Sequence, residues 1–319
     1  MKKLLAAIGI MIFLFGAAAG VFAAEDVVKI GYLRIIMSLP TFVAQEKGFF
    51  AEQGLKAEVI PFDSGTAIMD ALIARRIDVI GSNAITGYWF AAQAAPDRFK
   101  IFLAYGTTSA KDDNSFAVVV KQDSPLKNLK DLTGKKVGTF PGATSVALAK
   151  AVIRTQIDPE KVIFTEIPPP NLLPALAAGQ IDAYFSPEPF GMIAVSKDVG
   201  RYLIKSPLTL LKLKRGIPGA GFAFSARFLQ ERPEQAKKVK AALDKAVDYI
   251  RGHEQEARPY LARPEYTGLP EPLAMTIPFD EFIKLEELDK KAGQEYFDVL
   301  YKEGAYKEKV DTTKLYYEN

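Results

Sequence analysis

Gly142, Thr144 and Ser145 follow an apolar stretch, Val137–Phe140, across the turn Pro141-Gly142 and open a run of helix-forming residues reaching Ile153. A helix start leaves several backbone N–H groups unpaired and carries the positive end of the helix dipole. With only small side chains over it, a ligand oxygen reaches those donors directly. The same build recurs near the N-terminus as a strand Val27–Leu33, a loop Arg34–Leu39 and a helix opening at Pro40. Two such openings imply a small molecule gripped between two domains. Covalent chemistry has little to work with. The one histidine, His253, ends a charged helix beside Arg251-Gly252, and cysteine is absent. The run GTFPGATS lacks the lysine of a phosphate loop, and no histidine pair, thiolate set or calcium loop exists to hold a metal. No catalytic residue, metal or cofactor is expected.

Glu188 is the carboxylate to weigh. Between Pro187 and Pro189 at a strand end it is held rigidly. A fixed carboxylate in a cleft suits an ammonium or ring N–H donor and repels a bare anion. A surface position, or a salt bridge to an arginine such as Arg34, fits the same sequence. Tyr105, Phe185, Phe190 and Phe222 also fall near strand ends, where they serve either a core or a ligand wall.

The elements that position these residues alternate in type. Strand-like Val27–Leu33, Leu55–Pro61, Ile77–Gly81 and Ile101–Tyr105 are separated by helices at Pro40–Phe50, Ala67–Arg75 and Thr86–Ala94, the pattern of a parallel α/β sheet. A polar stretch, Gly106–Asn114, reads as a crossing to a second lobe with strands at Phe116–Lys121, Val137–Phe140, Val162–Ile167 and Ile181–Phe185. ALIARRIDVIG (Ala71–Gly81) and ALAAGQIDAYF (Ala175–Phe185) echo one another, as two similarly built lobes would require. Gly221–Ala226 reads as a return crossing, and the helices Pro233–Arg251 and Ala292–Tyr301 pack back on the first lobe. The expected division is 24–112 for the first part of lobe 1, 113–226 for lobe 2, and 227–319 for the completion of lobe 1.

The 319 residues, 49% hydrophobic and 25% charged, suffice for two globular domains. Met1-Lys2-Lys3, the apolar run Leu4–Phe15 and Val21-Phe22-Ala23 form a signal peptide over residues 1–23, which predicts a periplasmic protein. Without cysteine it is not a lipoprotein. Losing Lys2 and Lys3 from 41 basic residues against 38 acidic ones leaves a net charge of +1, which argues against nucleic acid. A monomer is expected.

An ordered series of short motifs runs along most of the mature chain. It comprises Gly31; Ala44-x-x-Lys47-Gly48-Phe49-Phe50 with Gly54-Leu55; Gly65 before Leu72; Ile77-Asp78-Val79; Leu132-x-Gly134-Lys135-Lys136-Val137-Gly138; Gly142 and Ser145; Leu176-x-x-Gly179-x-Ile181-Asp182-Ala183; and Glu188-Pro189. In this the chain resembles the ABC-importer solute-binding proteins of the nitrate/taurine/aliphatic-sulfonate, NMT1-like kind, a type II periplasmic-binding family that also holds receptors for the thiamine pyrimidine. The resemblance implies a two-lobed α/β architecture, each lobe a mainly parallel sheet with flanking helices, closing on a ligand in the cleft between them and delivering it to a membrane permease. By position it implies ligand contacts from Ser38 and Leu39 in the first loop, Gly65 and Thr66 in the second, Asn83 in the third, and Thr144, Ser145 and Asn171 in the second lobe. Met37, Tyr105, Gly142 and Glu188 join them as candidate contacts on the residues' own chemistry and place in the chain. Helix capping accounts equally well for Thr66, Thr144 and Ser145. The first loop, Arg34–Leu39, is bulkier and more apolar than a small anion needs, so the expected ligand is organic: a sulfonate, a zwitterionic amine, a pyrimidine-like ring or a small aromatic acid. The rivals are a ligand-sensing subunit of a signalling system and a thiamine-pyrimidine-synthase-like enzyme, against which the signal peptide and the absence of cysteine count.

Overall fold

Strand β1 (Val27–Leu33) must pass its backbone close beneath two neighbours, and Gly31 allows this: a Cβ there would lie 2.7 Å from Ile77 Cδ1 and 2.9 Å from Phe62 Cε2. The computed structural model describes residues 27–106, 115–278 and 280–318. Residues 1–23, expected from the sequence to be a signal peptide, and most of the polar crossing, 107–114, lie outside them. β1 pairs in parallel with β2 (Lys56–Phe62) and β3 (Val79–Ala84). β4 (Phe99–Gly106) follows, and the chain then enters a second sheet. That sheet holds β5 (Phe116–Lys121), β6 (Lys136–Thr139), β7 (Ile163–Glu166), β8 (Ala183–Pro187) and β9 (Gly200–Lys205), in the order β7-β6-β8-β5-β9. β10 (Pro218–Ser225) and β11 (Glu281–Lys284) return to the first sheet, whose order is β11-β4-β10-β3-β1-β2.

Both sheets are mixed. β6 runs parallel to β7 and β8, whereas β5 is antiparallel to β8 and β9, just as β10 is antiparallel to β3 and β4. The strands nearest the crossings are antiparallel because the chain enters and leaves the second lobe along one rim. β10, expected in the second lobe, is hydrogen-bonded between β3 and β4, so the return crossing falls before Pro218 rather than at residue 226.

The echo in the sequence is an echo in space. Over β1, Ile77 covers Gly31; over β6, Ile181 covers Gly138, whose added Cβ would lie 2.8 Å from Ile181 Cδ1. The following aspartates act alike, Asp78 Oδ2 accepting the Lys29 N–H at 3.0 Å and Asp182 Oδ2 the Lys136 N–H at 2.8 Å. Behind the first sheet the helix Pro233–Gly252 buries Ala236, Val239, Leu243, Val247 and Ile250 on one stripe, with proline at its first position. Burial of each large side chain of that stripe contributes about 1.5–3 kcal/mol. The helix Lys290–Lys302 packs against Trp89 through Tyr296 and Phe297, and Arg154 of the second lobe holds Glu303 in a two-pronged ion pair at 2.7 and 3.0 Å.

Candidate functional site

The carboxyl ends of β1, β3, β4, β6, β8 and β9 meet at the rim where the chain crosses between sheets, the place where open α/β sheets bind ligands. Both crossings touch there. Pro218 pairs with Gly106, and a Cβ on Gly106 would fall 2.1 Å from the Ile217 carbonyl oxygen. Glu188 N–H donates to the Ser115 carbonyl at 2.8 Å, the Ser115 hydroxyl donates to Asp280, and Asp280 N–H donates to Tyr105 Oη at 2.7 Å. Tyr105, read as a ligand contact, thus sits buried in a chain of bonds joining the lobes.

In the first lobe the helix Gly65–Ile73 is capped by Ser64, whose Oγ accepts the Ala67 N–H at 3.1 Å, while Thr66 is exposed. Asn83 is buried and ties two loops together: its Nδ2 donates to the Gly65 carbonyl at 3.2 Å and its Oδ1 accepts the Ala84 N–H at 2.9 Å. That proximity requires glycine at 65, where a Cβ would lie 2.6 Å from Asn83 Oδ1. Ser38 is buried with its hydroxyl donating to the Leu33 carbonyl at 2.7 Å, Leu39 is core, and Met37 packs half-buried against that core. The fold therefore absorbs Ser38 and Leu39 of the first loop.

In the second lobe the helix Ala143–Arg154 starts at Gly142 (φ 118°) with no side-chain cap. Gly142 N–H donates to Glu166 Oε2 at 3.2 Å, and Thr144 and Ser145 are half-buried. Asn171 is exposed in the first turn of the helix Pro169–Ala177. Phe140 and Phe190 meet edge to face, 5.2 Å between centroids, whereas Phe185 and Phe222 are core. Glu188 is neither free nor bound to Arg34, which donates to the Pro264 carbonyl instead. Its Oε1 accepts the Tyr202 hydroxyl at 2.9 Å and its Oε2 the Met192 N–H at 3.0 Å. Burial raises its pKa above the usual carboxylate range, opposed by the Met192 and Gly191 N–H groups, the Tyr202 hydroxyl and Lys205. Burial and the same carboxylate push the Tyr202 hydroxyl well above its ordinary value.

Three polar groups at this rim were not singled out from sequence. Ser82, Thr139 and Ser186, at or beside the carboxyl ends of β3, β6 and β8, are wholly buried, and their hydroxyls have no hydrogen-bond partner among the described residues. An unpaired buried hydroxyl costs about 1–3 kcal/mol, which a ligand's polar group would recover. The sequence signal was a hydroxyl closing an apolar strand, as in Gly81-Ser82, Gly138-Thr139 and Phe185-Ser186. Among the described residues, no cluster of three histidine, cysteine or acidic side chains is placed to hold a metal, and no helix is long and apolar enough to cross a membrane. A cavity of about 760 Å³ is lined by none of these loop residues and lies between the C-terminal tail and the start of β4 at Lys100.

The profile of the NMT1-like family matches residues 23–263. The chain belongs to the NMT1-like family. A Bacillus subtilis protein named for binding aliphatic sulfonates is 26% identical over 326 residues, covering 98% of this chain and 93% of that protein. The nitrate import ATP-binding protein NrtC of Synechocystis is 28% identical over 257 residues, 75% of this chain but 37% of NrtC, so the chain spans little more than a third of that relative. The periplasmic aliphatic sulphonate binding protein SsuA of Escherichia coli shares the fold, with a TM-score of 0.74 at 20% identity, covering 92% of each chain. These relatives of the NMT1-like chain are binding proteins and a transport component.

Proposed function

We propose that the chain is an extracytoplasmic solute receptor that captures a small organic anion by lobe closure and delivers it unaltered to the permease of an ABC importer, acting as a monomer. The observation that supports this reading is the set of unpaired polar groups at one rim. The buried hydroxyls of Ser82, Thr139 and Ser186 have no hydrogen-bond partner among the described residues and no side chain caps the helix start at Gly142, whereas both carboxylate oxygens of Glu188 accept hydrogen bonds. Donors without partners favour an anionic or strongly polar head group, and a carboxylate with its oxygens occupied gives an ammonium little to bind. The names of its relatives, which bind sulfonates or import nitrate, agree with an anion.

A thermal-shift screen of the mature protein against sulfonates, taurine, pyrimidines, small aromatic acids and nitrate tests the reading. A true ligand at a hundredfold excess over its dissociation constant stabilises by about 2.7 kcal/mol. It should also compact the protein in small-angle scattering and be recovered chemically unchanged. Consumption of the ligand, or binding without compaction, would overturn capture by closure.

A further inference from the structure

The carboxylate of Glu188 works inside the fold. It lies over the first turn of the helix Phe190–Ser196, where Oε2 accepts the Met192 N–H at 3.0 Å. The amides of a helix start lack partners within the helix, and a carboxylate is the group they hold best. Oε1 accepts the Tyr202 hydroxyl at 2.9 Å, which fixes the carboxylate from the far side. The backbone N–H of Glu188 donates to the Ser115 carbonyl at 2.8 Å, where the chain enters the second lobe. One residue thus sets the direction of this helix relative to the crossing. The clamp closes only over glycine at 191, where a Cβ would lie 2.7 Å from Tyr202 Cε1 and 2.8 Å from Glu188 Oε1.

What the clamp aims is Met192. Among the described residues it is the one apolar side chain of the second lobe that packs against the first-lobe core holding Phe42, Phe102 and Phe222. It stands opposite Pro270 and Leu273, and Leu273 packs on the same core. Beside this contact the lobes part into a groove of about 510 Å³, so on this face they meet through little more than one side chain. Methionine suits such a contact. It is unbranched and polarizable, and it can enter or leave an apolar surface with little strain.

We propose that Met192 is a latch between the lobes and that Glu188 is the positioning residue that sets it. The strength of this one contact then governs how often the lobes separate. The inference rests on the receptor reading, in which the lobes move against one another, and adds a control on that motion. Loosening the latch shifts the population toward separated lobes while the polar groups at the strand ends stay as they are.

The chain has no cysteine, so spin labels attach only where cysteines are introduced. Asp70→Cys on the helix Gly65–Ile73 and Ala177→Cys on the helix Pro169–Ala177, both exposed, report the interlobe distance. In that background Met192→Ala should raise the share of separated lobes by about tenfold. Glu188→Ala should act alike, whereas Glu188→Gln, which can still accept the Met192 N–H, should raise it by no more than about threefold. Because Glu188 acts through Met192, the double variant Glu188→Ala/Met192→Ala should separate no more than Met192→Ala alone. Leu132→Ala, a buried change elsewhere in the second lobe, should lower the urea midpoint and leave the distances as in wild type. Wild-type distances in both Met192→Ala and Glu188→Ala overturn the latch. Equal separation in Leu132→Ala also overturns it, since lost stability would then explain the effect. Additive effects in the double variant overturn the role of Glu188. If taurine and nitrate leave the wild-type distance unmoved while the latch variants lengthen it, the latch stands and capture of those anions by closure fails.

Discussion

In the first lobe the helix Gly65–Ile73 ends through Ala74 and Arg75 (φ 63°), and in the second the helix Pro169–Ala177 ends through Ala178 and Gly179 (φ 69°). Both ends close with the same paired bonds, Arg76 N–H to the Ala71 carbonyl and Arg75 N–H to Leu72, against Gln180 to Ala175 and Gly179 to Leu176. Each then turns into Ile-Asp and a strand. The copies differ in what surrounds them. Asp78 is also held by Arg232 at 3.2 Å, from the segment that returns to the first lobe, whereas Asp182 has only its backbone partner among the described residues. The repeated corner teaches that local rules set its shape while the neighbours set how much each residue contributes.

The strongest way to break this comparison is to empty the space over the two glycines. Ile77→Ala and Ile181→Ala each remove a buried side chain and should cost about 2–5 kcal/mol, read as a fall in urea midpoint. If one variant lost less than about 1 kcal/mol, the two isoleucines would not be doing the same job.

Asp78→Ala and Asp182→Ala sharpen it. Both free a strand N–H, and only the first strips Arg232 of a partly buried carboxylate. The expected losses are about 1–3 kcal/mol for Asp78→Ala and about 0.5–1.5 kcal/mol for Asp182→Ala. In an Arg232→Ala background the two should converge. A gap that persists there would assign the difference to the corner itself.

What was legible from sequence divides along the same line. The bounds of β1 and β5, the stripe of the long helix from Pro233, and the Ile-Asp corners follow from periodicity and local capping, and the structure has them where the residues put them. Strand order did not follow. Nothing local to Gly221–Ala226 says that it lies between β3 and β4, and the four-residue edge strand β11 gave too short a pattern to read. The loops at the strand ends were legible, but the partners of their side chains were not. Glu188 looked available because Tyr202, which occupies it, arrives through the pairing of β9 with β5, a contact fourteen residues away. Ser82, Thr139 and Ser186 carry weight only because the sheets bury them, and burial at a strand's end depends on which strands flank it. Ser38 and Asn83 lie in loops at the strand ends, and their polar atoms hold those loops in shape.

The smallest expected effect is the most direct test of what local rules decide. Arg75 and Gly179 occupy the same left-handed position, which costs a residue with a Cβ about 1–2 kcal/mol and glycine almost nothing. Glycine carries an entropic cost of its own in the unfolded chain, so the net gain from Arg75→Gly should be less, about 0.5–1 kcal/mol. Gly179→Ala should lose a similar amount, since an added Cβ there meets nothing within 4 Å and only the backbone conformation resists it. Equal and opposite shifts in urea midpoint would show that the two corners share one backbone requirement, met by glycine in one lobe and by a strained arginine in the other. A loss on Arg75→Gly would mean instead that the arginine side chain does something in the first lobe that offsets its strain, and the two corners would then differ in function as well as in surroundings.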